Sequence, residues 1–189
     1  MRLLDDTKRQ AILAGALRVL DRHGLAGLSM DAVAKAAGVA TGTIYLYFEN
    51  KDALLNALYV DVKAELSRQV FSAASPTAAL RPAFEQMCVA YLEYVTAHRA
   101  DLVFMREFPN SPHLLEESRA RTSGTLAPLV DLLERAQAEG LLKNLPVPFM
   151  VAFLQGTLTE MAAHIGADPE GAQEQRVDVA RLCWDALKD

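Results

Sequence analysis

The stretch 29–51, SMDAVAKAAGVATGTIYLYFENK, constrains the fold more than the rest of the chain together. Met30, Val33, Ala34 and Ala37 repeat at helical spacing, which gives one short amphipathic helix. Ser29 is its natural N-cap, since a serine hydroxyl can accept from a free backbone N–H of the first turn. Gly38 follows at the place where a helix must end, and glycine adopts the positive φ of a sharp turn at no steric cost. Val39 can then pack back into the corner. A second helix is expected over 40–48, with Ile44 and Phe48 on one anchoring face and Thr41, Thr43, Tyr45 and Tyr47 outside it. Two short helices joined by a glycine turn suit a unit that inserts the start of its second helix into the major groove.

The flanks read as helices too. Helix one is expected from about Asp6 to His23, with Ile12, Leu13, Ala16, Leu17 and Leu20 on one face and Gly24 as its stop. Asn50 caps a fourth helix that runs through Leu54, Leu55, Leu58, Val62 and Leu66 to about Phe71, long enough to bridge two domains. Ser75-Pro76 breaks the chain, and Pro76 fits the first turn of the next helix. That helix carries Leu80, Phe84, Met87, Cys88, Tyr91, Leu92 and Val95. A shorter helix covers 98–105. A seventh is expected from Pro112 to Glu139, stopped by Gly140. The eighth carries Phe149, Met150, Phe153, Leu154, Thr157, Leu158, Met161 and Ile165 in a wide stripe. Gly166-Ala167-Asp168-Pro169 separates it from the last helix. The expected fold is all-α, with about nine helices. A three-helix head occupies 1–50 and a helical body 51–189, with helix 51–72 as the connector.

Charge places the acidity outside the head. The chain carries a net −5, yet residues 1–52 hold seven basic and six acidic side chains against twelve and eighteen in the remainder. Arg2, Lys8 and Arg9 could form an N-terminal arm that neutralises phosphates. The two cysteines, Cys88 and Cys183, lie far apart in helical patterns and read as small core hydrophobes. They form neither a metal spacing nor a disulfide framework. No apolar run approaches the ~18 residues of a membrane helix, and Met1 to Gln10 is polar, so a cytoplasmic protein without a membrane partner is expected. The histidines His23, His98, His113 and His164 are scattered. His113 and Glu116 alone have a metal-compatible spacing, too few for a ligand set. No nucleophile elbow, phosphate loop or paired-carboxylate motif is present. Neither an enzyme nor a cofactor is expected.

The run AAGVATGTIYLYFENKDALL, 36–55, resembles the tetracycline-repressor family of transcriptional regulators. The resemblance rests on Ala34, Ala37, Gly38, Val39, Gly42, Thr43, Ile44, Tyr45, Tyr47, Phe48, Lys51, Asp52, Leu54 and Leu55. It covers about the first third of the chain. It implies a helix-turn-helix DNA reader, a helical body that binds a small effector, and a homodimer on a palindromic operator. Repression is implied by the family's usual habit. By the same resemblance Tyr47 and Lys51 contact phosphates, and Thr43 a phosphate or a base. Thr41, Gly42 and Tyr45 stand at base edges, and Ser29 and Leu46 belong to the same surface. Thr41 and Leu46 depart from the family's usual residues, so no operator sequence carries over.

In the body, soft and aromatic residues offer an effector site: Met87, Tyr91, Phe104, Met105, Phe108, Phe153, Thr157 and Glu160. Such a site would be mostly apolar. Arg106 would favour an acidic ligand and Glu160 a cation. The last helix has two apolar rows, Val177, Ala180, Trp184 and Leu187 on one and Val179, Leu182, Cys183 and Ala186 on the other. One can pack internally and the other across a subunit boundary. The dimer set is expected to comprise Phe149, Leu158, Met161, Ile165, Val177, Ala180 and Trp184. The alternative is a helical dimeric module, or an enzyme, that does not read DNA.

Overall fold

The structure, a computed structural model, describes residues 5–73, 78–167 and 171–189. The described residues form helices and no strand, apart from one isolated bridge between Leu142 and Lys188. The helices are α1 (Asp6–His23), α2 (Met30–Ala37), α3 (Thr41–Ile44), α4 (Lys51–Ala73), α5 (Leu80–Ala97), α6 (Arg99–Glu107), α7 (Glu116–Ser123), α8 (Ala127–Ala138), α9 (Val147–Ala167) and α10 (Ala172–Leu187). The expected seventh helix is divided. A 3-10 turn, Gly124–Leu126, separates α7 from α8. Pro128 lacks the N–H that the Gly124 carbonyl would need, and its ring crowds that carbonyl. Taking the two pieces as one gives the nine helices expected. Arg2, Ser75-Pro76 and Asp168-Pro169 lie outside the described residues.

The chain divides into two compact units, Met1–Lys63 with Arg99–Ser123, and Ala64–His98 with Gly124–Asp189. This differs from a boundary at residue 50. The first turns of α4 supply Leu54, Leu55, Leu58, Tyr59 and Val62 to the head core, and α6 with the turn after it supplies Phe104 and Phe108. In this unit α1 packs on α2 and on α6. Gly15 permits the first of these contacts to be close. A Cβ there would lie 2.9 Å from Ala37 Cβ and 3.0 Å from its backbone nitrogen.

The second unit is built on α5, which packs against α8, α9 and α10. Met150, Leu154, Leu158, Ala162 and Ile165 form the buried stripe of α9. Val179, Ala180, Cys183, Trp184 and Leu187 form that of α10. Trp184 meets Phe84 of α5 edge-on, with ring centroids 5.4 Å apart. Gly140 ends α8 with a positive φ, and the N–H groups of Gly140 and Leu141 bond to the carbonyls of Gln137 and Ala136.

Candidate nucleic-acid interface

The head is assembled by caps. Ser29 Oγ accepts from the Ala32 N–H at 3.2 Å and starts α2. Gly38 ends it in the left-handed region, φ 69° and ψ 31°. The Gly38 N–H bonds to the Lys35 carbonyl and the Val39 N–H to the Ala34 carbonyl. This paired closure is the Schellman arrangement, which satisfies carbonyls that the helix end would leave open. The Arg18 guanidinium donates to the Ala36 carbonyl from α1. The turn between α2 and α3 is therefore fixed by backbone bonds at its own residues and by a side chain from the first helix.

The second helix of the motif is shorter than its sequence pattern implied. α3 covers only Thr41–Ile44, and residues 45–47 continue as turns. The Leu46 N–H bonds to the Thr43 carbonyl, while the Tyr47 and Phe48 N–H groups both bond to the Ile44 carbonyl. Glycine, threonine, isoleucine and tyrosine are all weaker helix formers than alanine. Burial of Ile44 and Phe48 holds the segment in place regardless.

Of the expected DNA-contacting residues, Gly42, Tyr45 and Leu46 stand exposed, Tyr45 at 52% and Leu46 at 69%. Nothing lies within 4 Å of where a Cβ on Gly42 would be, so no packing inside the chain requires glycine there. Thr41 is half-buried and donates its hydroxyl to Asp31 Oδ1 at 2.8 Å. Thr43 and Tyr47 are half-buried, and the Tyr47 hydroxyl accepts the Asp5 N–H at 3.2 Å. Ser29 is occupied as a cap. Lys51 is the first residue of α4, whose N-terminal N–H groups favour an anion. Its Nζ reaches the Leu25 carbonyl at a long 3.4 Å, across an open cleft of about 580 Å³ lined by residues 23–26, Glu107 and residues 111–113. Arg9 is partly engaged inside the head, 3.6 Å from Asp61 and over the Phe48 ring, while Lys8 is exposed.

Sequence reasoning missed two polar residues that shape the head. Asp31 is one, as the acceptor for Thr41. Asn56 is the other, 5% exposed on the apolar face of α4. Its amide donates to the carbonyls of Asp52 and His113 and accepts from the Leu115 N–H, all at 2.8–2.9 Å. An amide between Leu55 and Leu58 on a buried stripe was the available signal. His113 turns its Nδ1 to Asp52 Oδ1 at 2.8 Å, and the described residues contain no group of three or more metal-ligating side chains.

The expected effector set is divided between the two units. Phe104 and Phe108 are stacked on each other, 4.9 Å between centroids, and both rings also meet Tyr59. They are 1% and 0% exposed and belong to the head core, against which Met105 packs. These rings fill the head core and do not stand open to solvent. A lysine that the sequence reading passed over, Lys63, places its Nζ 6.0 Å from the Tyr59 ring, and burial lowers the ammonium pKa. Met87, Tyr91, Phe153, Thr157 and Glu160 fall in the second unit. Met87, Tyr91 and Thr157 are half-buried, and Phe153 and Glu160 exposed. The Tyr91 hydroxyl and Thr159 Oγ1 are 3.2 Å apart between α5 and α9, and burial raises the phenol pKa.

The expected dimer set divides by burial. Leu158, Ile165, Ala180 and Trp184 are buried within the second unit, so they are spent on its own core. Met161 and Val177 are half-buried. Phe149 is 62% exposed, and with Ala152, Phe153, Gly156, Glu160 and Ala163 it lies at the three- and four-residue spacing of one helix side. On α10 the outward apolar residues are Leu182, 67% exposed, and Ala186.

A capped helix-turn-helix with an open tip, followed by a long helix and a helical body, defines a class of DNA-reading regulators. Two family profiles match the chain. One, bacterial regulatory proteins of the tetR family, covers residues 12–58. The other, the tetracyclin repressor-like C-terminal domain, covers residues 81–187. The chain belongs to the tetR family of bacterial transcriptional regulators. YhgD of Bacillus subtilis strain 168, an uncharacterized HTH-type transcriptional regulator, is 27% identical over 100 residues, 53% of this chain and 52% of its own length. EthR of Mycolicibacterium smegmatis is 43% identical over 53 residues, 28% of this chain and 24% of that protein. The chain thus matches about half, or a quarter, of these relatives' length. Among solved structures, a TetR family transcription regulator from Marinobacter aquaeolei VT8 superposes over 100% of both chains with TM-score 0.88 and 25% identity. FadR from Bacillus subtilis in complex with stearoyl-CoA covers 94% of this chain and 98% of its own at TM-score 0.74 and 18% identity, a likeness of fold. No described helix is long and apolar enough to cross a membrane.

Proposed function

We propose that the protein is a cytoplasmic, homodimeric transcriptional repressor that binds a palindromic operator and is released by a small, largely apolar or amphipathic effector. The observation that carries this reading is the tip of the head, where Gly42, Tyr45 and Leu46 stand uncovered on a turn whose own backbone bonds are satisfied. Tyr47 and Lys51 serve as phosphate contacts, and Thr43 as a phosphate or base contact. The Tyr47 hydroxyl accepts from Asp5 and so keeps its proton for a phosphate oxygen. A two-fold axis through the outer sides of α9 and α10 would bury Phe149, Phe153 and Leu182 in a four-helix seam and present two heads one DNA turn, or a multiple, apart.

For the effector, the half-buried Met87, Tyr91 and Thr157 on α5 and α9 give soft apolar surface with hydroxyls beside it. The acyl-CoA bound by the FadR relative is in keeping with a ligand of amphipathic class. Release requires the effector to bind better to the conformation that does not hold the operator, and operator DNA then weakens effector binding by the same factor.

Selection from random duplex DNA, at one stated near-physiological salt concentration, tests the reading. An enriched palindrome supports it; purified protein that enriches no sequence and retards no duplex sinks it. Tyr47→Ala with Lys51→Ala should weaken binding to all sequences alike and flatten the salt dependence. An unchanged salt slope would remove these two residues from the phosphate contacts.

A further inference from the structure

We propose that Leu46 reads the C5-methyl group of a thymine in each operator half-site, and that this apolar contact stands in place of an amide or guanidinium contact from the reading segment. The inference rests on the DNA-binding reading above. From Ala40 to Phe48 the chain has no arginine, lysine, histidine, asparagine, glutamine or carboxylate. The side chains that read guanine, adenine or cytosine by two hydrogen bonds or by a carboxylate are all missing from it. Four hydroxyls remain in the segment, none of which can make the two-bond or carboxylate contacts. Thr41 has given its proton to Asp31, and Tyr47 keeps its own for a phosphate.

What the segment does present is apolar. Among described residues 5–63, the large apolar side chains left exposed are Tyr45 and Leu46, next to each other at the tip. Leu46 is 69% exposed, and its backbone is fixed, since its N–H is bonded to the Thr43 carbonyl and the next two N–H groups to Ile44. Gly42, one turn earlier, leaves open space that lets another backbone approach the same surface. In the major groove the thymine methyl is the one apolar group that distinguishes a base pair. A leucine side chain cannot exchange hydrogen bonds with a base edge, so of the groups that edge offers the thymine methyl is the one it gains from.

The experiment uses the full-length protein and the operator obtained by selection. Each thymine of a half-site is replaced in turn by deoxyuridine, which removes the methyl and leaves the base-pair hydrogen bonds. One position per half-site should lose about fourfold in affinity, the value of one buried methyl. Leu46→Ala, a change at an exposed residue that leaves the thermal melt unaltered, should bind both operators with less than a twofold difference. Leu46→Met should keep the sensitivity. Wild-type protein indifferent to every uracil, or a Leu46→Ala variant as sensitive as wild type, overturns the thymine contact while leaving the DNA reading standing. Failure to bind any duplex overturns both, and is recognised because no affinity can be measured before uracil is introduced.

Discussion

At the residue scale, two glycines in helices of the head separate packing from function. Gly15 touches Ala37, and an alanine there would drive its Cβ to within 2.9 Å of a neighbour that includes backbone. Relief of helix glycine is worth about 1 kcal/mol, but overpacking costs about 1–3 kcal/mol. Gly15→Ala should therefore lower stability, by up to about 2 kcal/mol in urea unfolding. Gly42 meets nothing, so Gly42→Ala should hold or slightly raise the unfolding midpoint while weakening operator binding in a mobility-shift titration. A variant that kept full affinity would show that no backbone approaches there. The two thiols make a pH prediction. Burial raises the Cys88 pKa, and it raises Cys183 from 9.0 to about 11. The neutral thiol is the form that the folded state favours. The resulting stability is present below about pH 9 and is lost as pH rises towards the folded value. Iodoacetamide at pH 8 should leave both thiols unmodified in native protein and modify both in urea, read by mass spectrometry.

At the scale of elements, caps and the bounds of α1 were legible, while the length of α3 and the division of α7 from α8 were not. Ser29, Gly24, Gly38, Asn50 and Gly140 mark ends in the sequence because each solves a local problem of unpaired N–H groups or of positive φ. Each stands at such an end in the structure, with Asn50 Oδ1 accepting from the Ala53 N–H at 2.8 Å. The length of α3 depends on a competition that no pattern records, between weak helix formers and the pull of Ile44 and Phe48 into the core. Asn56 shows the same limit. It holds the 113–115 segment onto α4 with two bonds, and a third ties its amide to Asp52 of its own helix. Asn56→Ala should remove two bonds to partly buried backbone groups, at about 0.5–1.5 kcal/mol each. Hydrogen exchange should show the Leu115 amide opening first; unchanged protection there would mean that the segment is held by other contacts.

At the scale of the whole molecule, oligomeric state is the property that the outer faces of α9 and α10 are proposed to set. Phe149→Asp combined with Leu182→Asp places charge on exposed positions, so the subunit should keep its helical content by circular dichroism. Sedimentation equilibrium should move from dimer towards monomer. Operator affinity should fall steeply, because the second half-site is then no longer delivered at high effective concentration. A double variant that still sediments as a dimer would place the seam elsewhere.

By itself the sequence determined the all-α class, the helix-turn-helix with its glycine turn, and the candidate tip of the head. Those features follow from periodicity and backbone chemistry within a few residues of each other. Tertiary structure decided which apolar rows are consumed internally. Phe104 and Phe108 stack into the head, Trp184 turns to α5, Ala180 is buried, and Phe149 and Leu182 are left outside. Each of these helices carries apolar residues on more than one side. Periodicity names the sides, but only the neighbour that arrives from elsewhere in the chain says which one is buried.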